Sequence, residues 1–253
     1  MAAPETDPDP APEQTFIEHL TELRNRLLRA VAAILIVFLA LIPFATDLYA
    51  WLAEPLLSRL PAGGQLVAIE VAGPFLTPLK LAFFTALMVT MPFSLYQAWA
   101  FVAPALYRNE KQLAIPLLVS STLLFYLGCA FAYYLVMPVV FGFLASITPD
   151  GVAMMTDIGR YLDFVLMLFF AFGMCFEVPV ATVIVVATGW LDVGALKRSR
   201  PYVIVGAFVV GAIVTPPDVL SQVMLAVPMC LLYELGIVAA TALVRRREAQ
   251  AGH

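Results

Sequence analysis

The chain has 253 residues, 62% of them hydrophobic and 13% charged, with a formal net charge of −4 and a mean hydropathy of +0.92. A soluble domain of this length has nowhere to bury so much apolar surface, so the composition excludes a soluble or disordered chain and requires a polytopic membrane protein. Eleven of the fourteen Lys and Arg residues form four clusters, Arg24/Arg26/Arg29, Arg108/Lys111, Lys197/Arg198/Arg200 and Arg245/Arg246/Arg247. These alternate with apolar segments, so topology explains the basic residues and nucleic-acid binding has no support.

In chain order, residues 1–15 are acidic and proline-rich, the opposite of the basic start of a cleavable signal peptide, and read as a disordered tail. Thr15 and Glu18 then form a capping box that predicts a helix start. Phe16, Leu20, Leu23 and Leu27 make its apolar stripe, and Glu18, Glu22 and Arg26 share another face where Glu22 can pair with Arg26. Six spans are predicted: about Leu27–Tyr49, Leu79–Val102, Leu113–Val136, Tyr161–Ala187, Tyr202–Thr215, and a last one after Asp218 toward Val244. Every second loop is basic, which places both termini in the cytoplasm. Only Arg59, Lys80 and Arg160 are assigned to the opposite loops.

Between the first two spans, Trp51 to Thr77 holds leucines at helical spacing and reads as an amphipathic helix on the outer surface or capping the bundle. Pro55 within it reads, on chemistry alone, as a turn former. Pro92, Pro138, Pro179 and Pro228 predict kinks, which together suggest curved helices forming a concave wall. The fifth span is too short at about 1.5 Å per residue to cross a hydrocarbon core of about 30 Å, so the membrane beside it is predicted to thin. The division is therefore a single six-helix transmembrane domain over 16–244, flanked by the 1–15 tail and a short basic cytoplasmic tail at 245–253.

Few residues carry chemistry. Glu177 lies inside the fourth span, where a carboxylate costs about 2.5–3.5 kcal/mol on insertion scales and requires a partner, a polar cavity or a proton. Glu110 lies in the basic loop after Trp99, Phe101 and Pro104, an aromatic setting in which a carboxylate can grip an arginine. Thr215, Asp218, Ser221 and Gln222 form a polar cluster at the outer end of the last two spans. Cys129, Cys175 and Cys230 lie in apolar runs without metal-like spacing. His19 is the only histidine apart from the C-terminal one, and no phosphate loop or catalytic dyad is visible, so neither an enzyme nor a cofactor or metal is expected. A proton-coupled secondary transporter using Glu177 and Glu234 is the alternative; no second half of the chain echoes the first.

Several blocks resemble the twin-arginine translocase C-subunit (TatC) family: Glu18–Arg24 (EHLTELR), Ser94–Tyr107 (SLYQAWAFVAPALY), Phe172–Pro179 (FGMCFEVP), Arg200–Gly211 (RPYVIVGAFVVG) and Thr215–Asp218 (TPPD). The resemblance runs from about Phe16 to Val244. It departs around Glu110, where Asn109 and Lys111-Gln112 stand and many members are more basic. It implies an all-α polytopic protein of the bacterial cytoplasmic membrane, with six helices in a curved, cup-like bundle. It implies a receptor for signal peptides bearing two adjacent arginines, at the core of a pore that exports folded proteins by the proton-motive force. Its partners would be the single-span subunits TatA and TatB, further copies of itself in a multimeric receptor complex, and membrane lipid. On that resemblance Glu22 and Glu110 recognise the arginine pair, beside Arg24 and Phe101 respectively. Glu177 lies on the concave face, Thr215 and Gln222 belong to the partner-contact region with Asp218, and Pro55 lies in a loop sensitive to change.

Overall fold

In the computed structural model, the described residues are 16–57, 65–102, 114–146, 155–214 and 219–251. The chain forms α1 (Phe16–Leu41), α2 (Ala45–Leu57), β1 (Gln65–Val67), α3 (Gly73–Val102), α4 (Ala114–Phe131), α5 (Met137–Ser146), β2 (Met155–Asp157), α6 (Ile158–Phe176), α7 (Val178–Ala187), α8 (Val193–Arg198), α9 (Arg200–Val214) and α10 (Val219–Ala251). Among the described residues, five stretches are long and apolar enough to cross a membrane: Leu20–Glu54, Gly73–Phe101, Ile115–Phe143, Ile158–Ala187 and Gln222–Arg246. The sixth, Arg200–Ile213, is apolar but shorter. At about 1.5 Å per residue, α9 reaches only about 22 Å, as its sequence length requires.

Prolines set the breaks. Pro43 begins a 3₁₀ turn over Ile42–Phe44 that separates α1 from α2. Pro138 follows a five-residue π segment, Ala132–Val136, so the third span is not a regular helix and continues to Ser146, ten residues past its predicted end. A proline nitrogen cannot donate to the preceding turn, and a π segment accommodates the displaced carbonyls. Pro179 stands two residues after Glu177, the single non-helical residue between α6 and α7. Pro78, Pro92 and Pro228, by contrast, are carried within continuous helices. So is Pro55, inside the last turns of α2 rather than in a turn. Its fixed φ suits a helix, and only one backbone bond is forfeited there.

The core packs antiparallel α4 against α6, around Phe125, Val136, Met137, Tyr161, Leu162, Val165, Leu168 and Phe172, all at most 2% exposed. An added Cβ at Gly128 would meet the Phe172 carbonyl oxygen at 2.5 Å, and one at Gly173 would meet the Phe125 ring at 2.6 Å, so the two helices touch through paired glycines. Antiparallel α1 and α3 pack along their length, with Phe38 edge-on to Phe83 at 5.5 Å. A second small core, Val186, Leu196, Tyr233, Ile237 and Ala240, binds α7 and α8 to α10.

The outer end has a cap that the sequence reading only partly anticipates. α2 buries Leu52 and Ala53. Tyr161 Oη donates to the Leu52 carbonyl at 3.2 Å, and Tyr49 Oη to that of Ile158 at 3.4 Å. The amphipathic helix predicted from Trp51 thus begins earlier, at Ala45, and covers the bundle. β1 and β2, three residues each, pair in parallel with Gln65 opposite Met155 and Val67 opposite Asp157. This pair adds a small strand element to an otherwise helical fold. Lys80, assigned to an external loop by charge, lies instead within α3 and donates to Asp163 Oδ1 of α6 at 2.6 Å. A lysine seven residues into a span still reaches the interface or a partner carboxylate.

Asp157 ties this cap together. Its Oδ1 accepts from the Gly159 and Arg160 amides as the N-cap of α6, and its Oδ2 accepts from the Ile69 amide of the other external segment. The Arg160 amide first, then that of Ile69, holds its carboxyl below the usual range. Because the folded value is lowered, its stabilising contribution is present above about pH 4 and disappears as the pH falls through that lowered value. Asp157→Ala should therefore lower the melting temperature of the detergent-solubilised protein at pH 7, with a gap to wild type that closes toward pH 2. An equal gap at both pH values would remove the charge from this explanation.

Candidate functional site

At the basic end of the bundle, Glu22 lies in the second turn of α1, which is described from Phe16 onward. Arg26, one turn on, donates from Nε at 2.9 Å and from Nη2 at 2.5 Å to the same oxygen, Glu22 Oε1. The two side chains are 22% and 29% exposed, so the pair is half-buried yet reachable from water. Arg24 points elsewhere, exposed, with Nη2 3.5 Å from Asn25 Oδ1. The Phe38–Phe83 contact fixes the register of α1 against α3. Sixteen residues back along α1 and sixteen onward along α3, Glu22 comes level with Trp99. Trp99 is buried and Phe101 half-buried in the last turn of α3. The helices thus bring Glu22 and the aromatic pair to one end of the molecule. Glu110 lies outside the described residues.

Glu177 occupies a different place. At the break before Pro179, Glu177 keeps right-handed helical dihedrals, and its side chain turns toward α4, where Ser121 Oγ donates to Oε2 at 2.5 Å. Ser121 is 1% exposed. Ser121 belongs to the Ser120-Ser121-Thr122 run of the third span, a polar signal in the sequence that went unread. Glu177 Oε1 and Ser94 Oγ are buried and have no hydrogen-bond partner among the described residues. Glu177 faces a cavity of about 240 Å³ lined by Met91, Leu95, Ala98 and Trp99 of α3 and by Met174, Val180, Ala181 and Ile184 of the fourth span. Along α6 and α7 the exposed residues Arg160, Asp163, Met167, Phe170, Met174 and Ala181 recur at helical spacing, and Glu177 falls on the same stripe. The stripe begins at the Lys80–Asp163 pair and ends at this cavity, directly beside Trp99. An apolar groove with flexible methionines and one carboxylate can take apolar helices of differing sequence.

At the other side, α9 lies against α10. Arg200 engages Glu234 at 2.7 Å, which pairs the second intramembrane carboxylate of the transporter alternative with a guanidinium. Gln222 Nε2 donates to the Phe208 carbonyl at 2.9 Å, holding the short fifth span to the sixth. Thr215 and Asp218 lie outside the described residues; Ser221 and Pro55 are placed only by their helical backbone.

The family model described as Sec-independent protein translocase protein (TatC) matches residues 18–228. A protein named Sec-independent protein translocase protein TatC from Azotobacter chroococcum is 58% identical over 230 residues, covering 91% of this chain and 90% of that one. Its namesake from Escherichia coli K12 is 53% identical over 224 residues, covering 88% and 87%. A crystal structure of a twin-arginine translocase receptor, TatC, superposes with a TM-score of 0.78 at 37% identity, over 89% of this chain and 99% of that one. A second, in DDM, superposes with a TM-score of 0.80 over 88% and 99% at the same identity.

Proposed function

The chain belongs to the Sec-independent protein translocase TatC family and is a multi-pass membrane component of that translocase, and from this premise we propose that it is the twin-arginine signal-peptide receptor. It works by binding rather than catalysis. The arginine pair docks at Glu22 and Glu110 on the cytoplasmic side of the bacterial inner membrane, with Arg24 and Phe101 beside them. The observation that carries the reading is that Glu22 already binds a guanidinium, that of Arg26, at a point accessible from the basic end. A carboxylate in that setting suits arginine, whose planar fork supplies parallel donors, better than the point charge of lysine.

The apolar segment of the signal peptide then enters the groove between α3 and α6 and passes Glu177, whose unpartnered oxygen receives a donor from a cargo or partner helix. The single-span subunits TatA and TatB assemble against the fifth and sixth spans, around Thr215, Asp218 and Gln222, in a complex with several copies of this chain. The short α9 thins the bilayer locally, and the proton-motive force drives passage. No cofactor or metal is needed.

A folded fluorescent reporter with an Arg-Arg signal peptide tests this in cells whose own C subunit is replaced by this chain. Export is expected. Glu177→Ala should lower it by about tenfold or more, since one or two polar contacts in lipid are worth about 1–2 kcal/mol each, while peptide binding at the basic end persists. Unchanged export with Glu177→Ala would remove the groove carboxylate from the pathway. Proton-coupled solute uptake in place of export would favour the transporter reading.

A further inference from the structure

We propose that Arg26 is an internal competitor for the arginine-recognition carboxylate, occupying Glu22 until a signal-peptide guanidinium displaces it; this rests on the reading of Glu22 as a recognition residue. Arg26 Nε and Nη2 converge on the single oxygen Glu22 Oε1, so the carboxylate is already engaged by the chemical group it is proposed to receive. Both side chains lie one turn apart on the same helix and are about a quarter exposed. Neither is locked in a core, and water can take over the guanidinium once it leaves. Binding at Glu22 is therefore an exchange of one guanidinium for another.

One consequence follows from exchange. The affinity of any peptide at Glu22 is reduced by what the internal pair contributes, which keeps the complex reversible. The preference for arginine over lysine comes from the Glu22 contact itself, because releasing Arg26 costs the same whichever cation replaces it. Arg26 thus sets affinity without touching the ligand, and is a positioning residue rather than part of the contact surface.

The test uses the full-length protein in nanodiscs and two synthetic peptides, one with Arg-Arg and one with Lys-Lys ahead of the same apolar segment. Arg26→Gln should tighten Arg-Arg binding about two- to fivefold, the range that an ion pair of this exposure contributes. It should tighten Lys-Lys binding by the same factor, because the internal pair must be released whichever cation arrives. In a Glu22→Gln background the same substitution should give no gain. Arg29→Gln, which removes an equal charge from the next turn of α1, should give no comparable gain. Weaker or unchanged binding with Arg26→Gln, when Glu22→Gln does weaken it, overturns the competitor role alone. An equal gain with Arg29→Gln also overturns it, as a general charge effect. Unchanged binding with Glu22→Gln overturns the recognition site itself, and the competitor with it.

Discussion

Gly128→Ala should destabilise the protein about as much as a single methyl group can, whereas Gly142→Ala should not. An added Cβ at Gly128 falls 2.5 Å from the Phe172 carbonyl oxygen and 2.9 Å from its carbon, and a third contact, the Phe176 ring, lies at 3.0 Å. The first two are backbone atoms in the last two turns of α6, so relief requires moving a helix rather than turning a side chain. That helix carries four of the six largest fully buried side chains among the described residues, Tyr161, Phe172, Leu162 and Leu168. Overpacking of this kind costs about 1–3 kcal/mol, and the backbone clash puts Gly128 at the upper end. The melting temperature in detergent should fall by roughly 10 °C. Gly142 is the internal control, since nothing stands within 4 Å of a Cβ there. It should gain slightly from the better helix propensity of alanine. If Gly128→Ala melted with wild type, the close α4–α6 approach would be wrong.

How much could be read from residues alone differs between spans and sites. The alternation of basic clusters and apolar runs located all six spans, because membrane insertion depends on length and hydropathy and little else. The Glu22–Arg26 pair was equally legible, being a local i, i+4 relation on one helix. Positions that depend on other helices were not. Lys80 counted as a loop charge until α6 brought Asp163 to it. A Thr or Tyr of a neighbouring span is what the sequence suggests as the hydrogen-bond partner of Glu177, and the packing of α4 on α6 supplies a serine, Ser121, instead. Pro55 misled because a proline near a helix end is compatible with the helix as well as with a turn. Pro138 signalled a kink, but the compensating π segment belongs to backbone geometry that no residue type announces. Three-residue strands such as β1 and β2 are too short for any alternation to show. Gln222, expected at a partner surface, also ties α10 to α9 through the Phe208 carbonyl, a contact no residue type announces.

Replacing either recognition carboxylate should have the largest functional effect. Charge-assisted hydrogen bonds contribute about 1.5–3 kcal/mol each, so Glu22→Ala or Glu110→Ala should weaken an Arg-Arg signal peptide by about ten- to a hundredfold. Glu22→Ala should not affect stability by more than about 0.5 kcal/mol, because the Glu22–Arg26 pair is an i, i+4 contact that remains partly exposed. Melting curves that coincide with wild type would separate lost recognition from lost folding. Replacing both carboxylates should bring the peptide down to the binding of its apolar segment alone, insensitive to whether it carries arginine or lysine.

The most direct measurement is photocrosslinking of a twin-arginine signal peptide to this protein in membranes, comparing Arg-Arg with Lys-Lys and wild type with Glu22→Ala and Glu110→Ala. The expected result is a crosslink that requires both arginines and both carboxylates. Equal crosslinking of Arg-Arg and Lys-Lys peptides, unaffected by either substitution, would contradict the receptor site at the basic end of α1.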